Sequence, residues 1–244
     1  MTTFRIALAE LNIEIAARHE FAKRFCRDYL TDGAPTLYAS ASDADLSADQ
    51  AAVPGTSEAY AETLGIYRSI AEQLPMRGAF LVHGAAIAYG GKAYLFTAPS
   101  GTGKTTHISL WKKYLGKDVQ IVNGDKPLLR VRSGGVDVCS TPWAGKERWQ
   151  RNCIVPLGGI CLIHRGTDNV ACRCKAEELL SELMFQIYIP RDPNALMQTL
   201  SLLDGVLRQT PLYQLSCDIS QDAVRASFEA MTGLPFVPAE EAEA

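Results

Sequence analysis

Residues 98–106, APSGTGKTT, place two glycines, a lysine and two adjacent threonines at the point where an apolar run stops. The preceding KAYLFT alternates as a strand, and the following HISLWKKYLG has helical spacing, so the stretch sits at a strand-to-helix turn. Backbone amides and the positive end of a helix can surround a phosphate at such a turn. A chain built around it is expected to be α/β, with one strand feeding that helix.

In the Walker A pattern G-x-x-x-x-G-K-[ST], loop amides hold phosphate oxygens, the lysine neutralises the β and γ phosphates, and the hydroxyl binds magnesium. Gly103, Lys104 and Thr105 fill the last three positions, and Ala98 stands where the first glycine would be. Ser100, Gly101, Thr102, Gly103, Lys104, Thr105 and Thr106 are the expected nucleotide contacts. A phosphate loop also needs a carboxylate at the end of a neighbouring strand, and QIVNGDKP supplies Asp125. Asp125 with Thr105 is the expected magnesium pair, although an aspartate there also suits a turn cap.

At 244 residues, with 47% hydrophobic and 21% charged side chains, the chain has material for a substantial core. The net charge of −3 gives no overall field toward nucleic acid or anionic membrane, and neither is expected as a partner. No apolar run approaches the roughly 20 residues that span a bilayer. The start MTTFRIALAELNIEIAARHE alternates with charges where a signal peptide would have an apolar core. The seven scattered cysteines suit reduced thiols, so a cytoplasmic location is expected. VACRC reads as a strand with Cys172 and Cys174 on one buried face, and no second close pair completes a zinc site.

FRIALAELNIEI predicts one or two strands, and HEFAKRFCRDYL a helix. A polar loop with a short helix follows to Gly55, then a helix from Ser57 to Leu74 closed by Pro75. GAFLVHGAAIAYGGKAYLFT reads as two strands about a Gly90-Gly91 turn, and DVQIVNGDKPLLRV as one buried strand with a polar break. Strands near 153–163 and 169–174, helices near 176–187 and 194–207, the strand PLYQLSC and a helix from Gln221 complete the chain. The acidic ending over 237–244 is expected to be a frayed tail.

HGAAIAYGGKAYLFTAPSGTGKTT, followed by IVNGDKPLL and TPWAGKE, resembles the HPr kinase/phosphorylase superfamily, whose nucleotide site is similar to that of ATP-dependent phosphoenolpyruvate carboxykinase. The resemblance covers residues 79–165; the N-terminal 75 residues lack the separate domain of a true HPr kinase. It implies that His83, which alone would read as a core histidine, faces the active site. The family often carries two adjacent aspartates where this chain has Gly124-Asp125, so Asp125 would both bind metal and accept a proton, with His83 helping. Lys146 in TPWAGKE is implied to act in catalysis. Its neighbours Glu147, Arg148 and Arg151 are candidates for the acceptor or transferred phosphate, or else form a solvated loop over Trp143 and Trp149. His107 and His164 read as structural.

The expected architecture is one α/β P-loop domain over 1–244 with a mixed twisted sheet: N-terminal strands and helices (1–78) packed on a core over 79–236. The Gly90-Gly91 hairpin argues against a purely parallel order. The expected activity is ATP- and Mg2+-dependent phosphoryl transfer to a hydroxyl on a small molecule or a serine. A non-catalytic nucleotide-binding regulator or scaffold is the alternative. An oligomer is compatible with either.

Overall fold

The computed structural model describes residues 1–239, so most of the expected acidic tail, 240–244, lies outside the described residues. The chain divides into two compact units, one of Met1–Ala79 with Ile189–Thr199 and one of Phe80–Tyr188 with the chain from Leu200 onward.

In the first unit, β1 (Thr2–Leu8) and β2 (Leu11–Ala17) form an antiparallel hairpin whose alternation buries Phe4, Ile6, Ile13 and Ile15. Ala9 and Glu10 turn it with positive φ of 48° and 61°, a two-residue turn that matches strand twist. β3 (Leu37–Ala39) joins β2 in parallel, giving a three-stranded sheet of its own. The predicted first helix is α1 (Glu20–Phe25) followed by a single 3-10 turn. The polar stretch holds α2 (Asp43–Ala52), started by a capping box between Ser42 and Asp45. α3 (Glu58–Gln73) starts where Ser57 accepts the Tyr60 N–H and stops before Pro75.

The second unit is a nine-stranded mixed sheet with helices on it. Its strands are β4 (Ala79–Leu81), β5 (Ala85–Tyr89), β6 (Lys92–Thr97), β7 (Gln120–Asn123), β8 (Leu128–Arg132), β9 (Gly135–Cys139), β10 (Ile154–Arg165), β11 (Val170–Cys174) and β12 (Leu212–Cys217). Its helices are α4 (Lys104–Leu115), α5 (Ala176–Met184), the part of α6 (Pro193–Gln209) from Leu200 onward, and α7 (Gln221–Thr232). β10 organises the sheet. Its start pairs antiparallel with β9, and its later part lies parallel between β6 and β12. The carboxyl ends of β6, β10 and β12 therefore finish side by side, the end of a parallel sheet where ligands bind. β5 runs antiparallel beside β6, joined at Gly90-Gly91 as predicted, so the order is mixed.

One face of the sheet buries Ile108, Trp111, Val224 and Phe228 of α4 and α7. The other buries Leu179, Leu183, Leu203 and Val206 of α5 and α6. Among the described residues no helix is long and apolar enough to cross a membrane.

Three sequence readings are corrected. DVQIVNGDKPLLRV is two strands, β7 beside β5 and β8 between β4 and β9. The break is chemical, because Asn123 Oδ1 accepts the N–H groups of Asp125 and Lys126, a side-chain turn that ends the strand, and Pro127 cannot donate to a ladder. The run before Gly90 likewise splits into β4 and β5, parted at Val82-His83-Gly84. Cys172 is exposed and Cys174 half-buried, because β11 pairs with β12 alone and its VACRC face is not covered.

Candidate functional site

The loop between β6 and α4 is shaped by Gly101 and Gly103, at φ of 80° and 122°, where an L side chain would be strained. Nothing lies within 4 Å of where a Cβ on either would sit, so the concave side of the loop is open. Ala98 is fully buried and does not share this left-handed backbone, so its position needs no glycine. Lys104, the first residue of α4, folds back over the loop and donates from Nζ to the carbonyls of Ala98 at 2.8 Å and Pro99 at 3.4 Å. Burial lowers the Lys104 ammonium from its ordinary value, and the Asp125 charge acts in the opposite sense. The hydroxyl of half-buried Thr105 has no hydrogen-bond partner among the described residues.

Asp125 stands just past the end of β7. Its Oδ1 lies 3.4 Å from His83 Nε2, and its Oδ2 accepts from Lys126 Nζ at 3.0 Å. Its backbone carbonyl accepts the Gly84 N–H at 2.8 Å, which ties the two polar breaks of the sheet together. Burial acts to raise the Asp125 carboxyl, but the His83 hydrogen bond and the Lys126 charge outweigh it, so the group is held below the ordinary carboxylate value.

His83 is fixed from several sides. Its N–H donates to the Gln186 carbonyl at 2.6 Å, and its own carbonyl accepts from Thr97 Oγ1 at 2.8 Å at the end of β6. Its Nδ1 is 3.0 Å from Oε1 of the buried Gln186 side chain. With Nδ1–H donated to that oxygen, the Nε2 edge is the one turned to Asp125.

The TPWAGKE loop passes beside this pair. A Cβ on Gly145 would lie 3.2 Å from Asp125 Cβ and 3.6 Å from Glu147 Oε2, so both carboxylate side chains converge on Gly145. Lys146, Glu147 and Arg148 are exposed on the turn that follows, and Trp143 is buried. Arg151 is held elsewhere: its Nη1 donates to Gln120 Oε1 at 2.6 Å, at the start of β7, whereas Asp125 follows the other end. The missing second aspartate has a steric reason. A Cβ on Gly124 would sit 2.9 Å from the Ala144 carbonyl oxygen, and the Gly124 N–H donates to the Trp149 carbonyl at 2.9 Å.

His83, Lys104, Asp125 and the Gly145–Glu147 turn are thus brought into one neighbourhood, and Arg151 is not. His107 is buried inside the unit against Trp111 and Ser227, as a structural histidine would be. Sequence reasoning missed Lys126, Gln186 and Arg165. Arg165, at the end of β10, donates from Nε to the Thr102 carbonyl at 3.3 Å and from Nη2 to that of Gly101. Lys126 was within reach, being next to Asp125. Gln186 and Arg165 are set in place by strand pairing and leave no local signal.

No family model matches the sequence, and no curated protein matches it. Among solved structures, the HPr(Ser) kinase/phosphatase from Coxiella burnetii is similar at 11% identity and a TM-score of 0.29, over 52% of this chain and 88% of that one. A likeness of that extent identifies no shared site, and the chemistry below rests on this chain's own residues.

Proposed function

We propose that the protein is an ATP-dependent phosphotransferase that moves the γ-phosphate onto a hydroxyl, on a small molecule or on a serine of a peptide or protein. The observation that carries this reading is that Asp125 serves two groups at once. Its charge acts on Lys104 in the glycine loop, and its carboxylate faces His83 Nε2. A cation placed to neutralise phosphate and a pair able to hold a proton therefore occupy one end of the sheet.

On this reading Lys104 exchanges the carbonyls of Ala98 and Pro99 for phosphate oxygens, and the amides of residues 100–106 complete the cradle. Asp125, held ionised, and Thr105, with an uncommitted hydroxyl, fit as ligands for magnesium. When bound, the ion neutralises charge on the phosphate oxygens. Asp125 accepts the acceptor's proton, His83 shares it through Nε2, and Gln186 holds the ring in that orientation. Lys146 and Arg148 lie exposed beside the pair, where a cation would meet the transferred phosphoryl group. Arg151, engaged with Gln120, is left out.

The alternative, a nucleotide-binding regulator without turnover, is favoured by Gly124, which leaves Asp125 with no adjacent second carboxylate. The test is calorimetric binding of Mg-ATP to the protein and to Lys104→Ala, followed by a screen of hydroxyl metabolites and serine peptides with labelled ATP. We expect Lys104→Ala to weaken binding by about 10-fold or more, and at least one acceptor to be labelled. Unchanged affinity in the folded variant would remove the phosphate-loop reading. Tight binding with no labelled acceptor selects the regulator.

A further inference from the structure

We propose that the cavity on the α4 side of the glycine loop is a nucleoside site, which receives the base and sugar of the nucleotide whose phosphates the loop holds. The proposal rests on the phosphate-loop reading and adds the subsite that reads the rest of the ligand.

The cavity measures about 660 Å³, within the range of small-molecule sites. Its wall begins with Gly101, Thr102 and Gly103, so a ligand that fills it touches the loop. Leu110, Ile163 and Ile219 give it apolar faces of the kind on which a flat base rests. Neither His83 nor Asp125 is in its wall, so an acceptor hydroxyl placed here would lie away from the proton-accepting pair.

Its polar groups select against a second phosphate and for a neutral donor. Asp218, which follows β12, is an acidic residue in the cavity wall. A hydrogen bond from Ser220 Oγ, helped by Asn169, holds Asp218 below the ordinary carboxylate value. An ionised carboxylate repels phosphate and accepts from sugar hydroxyls or base N–H groups. The one cation in the wall, Arg165, already donates to the carbonyls of Gly101 and Thr102.

His107 is also in the wall and only 3% exposed. Its Nε2 edge meets Ser227 Oγ at 3.0 Å and Trp111 Nε1 at 3.2 Å, while Nδ1 has no hydrogen-bond partner. Nδ1 is itself enclosed, so His107 closes part of the wall as a structural side chain and does not pair with what fills the cavity.

The experiment compares Mg-ATP with magnesium tripolyphosphate, which has the same phosphates and no nucleoside, by titration calorimetry. The proteins are the wild type, Asp218→Asn and Ile219→Ala; both substitutions are in the segment after β12, and Ile219 is 75% exposed, so the fold should tolerate them. We expect the wild type to prefer ATP by about 10-fold or more, and each variant to bind ATP roughly 3- to 10-fold more weakly with tripolyphosphate within about twofold of wild type. Variants that bind ATP normally, or that lose both ligands equally, would overturn the nucleoside site. So would a wild type that binds both ligands alike, although that result keeps the phosphate loop. A wild type that binds neither removes both.

Discussion

His83 Nε2 and Asp125 Oδ1 face each other across 3.4 Å at two separate breaks in the sheet, and a backbone hydrogen bond from Gly84 to the Asp125 carbonyl locks those breaks together. The pair is thus held by backbone bonding between two strand ends. Asp125 also carries an ion pair to Lys126 and acts on Lys104, whereas the described contacts of the His83 ring are Asp125 and Gln186.

That asymmetry sets the first prediction. If Asp125 is both metal ligand and proton acceptor, as proposed, turnover of Asp125→Asn should fall below detection while ATP affinity falls less. His83→Ala should cost turnover roughly 10²- to 10⁴-fold, the range of a general acid–base contribution. Steady-state kinetics on an identified acceptor, with ATP binding measured separately, checks both. Near-normal Asp125→Asn beside inactive His83→Ala would mean the two roles are reversed.

Lys146 is exposed on the turn beside Asp125 and makes no ion pair among the described residues, so its loss leaves no buried charge behind. Lys146→Ala should therefore leave the melting temperature and ATP affinity unchanged and lower turnover by about 10² or more, because a cation added from a separate loop acts where charge moves onto the acceptor. Normal turnover in that variant would make the turn a solvated surface feature.

The glycine loop was legible because Gly101 and Gly103 take the left-handed backbone that favours glycine between a strand and a helix, and the hairpins were legible from alternation and turn residues. The split of QIVNGDKPLL was harder. Its apolar residues continue past the break, and only the Asn123 side-chain turn sends β7 and β8 to different parts of the sheet. Gln186 and Arg165 were invisible in sequence because β10 and the chain after α5 reach the site only through long-range pairing. Arg151 looked equivalent to Arg148 by position, yet one donates to Gln120 and the other sits in a left-handed turn with φ of 53°. The sequence also could not show why position 124 is glycine.

The structure gives that reason, and it yields the third prediction. A side chain at 124 meets the Ala144 carbonyl, which belongs to a backbone that cannot move aside like a flexible side chain. Gly124→Asp should destabilise the fold by about 1–3 kcal/mol, the usual cost of overpacking, and displace the loop that carries Lys146. Chemical denaturation measures the first effect, and protease sensitivity between residues 141 and 151 the second. A variant as stable as wild type would show that the loop adapts.

The last prediction concerns pH and His107. Burial pushes this imidazole down to about 3; its hydrogen-bond and ring partners Trp111, Ser227 and Phe96 carry no charge, and the charged groups that line the same cavity are Asp218 and Arg165. The folded protein therefore keeps His107 neutral across the range in which an unfolded histidine, with a pKa near 6.5, takes up a proton. Between those values the unfolded state binds the extra proton, so this group's effect on stability is absent above about pH 6.5 and grows more unfavourable as pH falls toward 3. The slope is about 1.4 kcal/mol per pH unit from one such group. In His107→Phe that slope disappears, while Trp111 Nε1 retains its 2.9 Å bond to Ser227 Oγ and the ring contact with Phe96 can be kept. Urea denaturation at pH 7, 6, 5 and 4.5 should show the wild type losing stability faster than the variant, by roughly that amount per unit below about pH 6.5. Parallel curves would mean that His107 takes up its proton in the folded protein too, and that its burial is less complete than the structure shows.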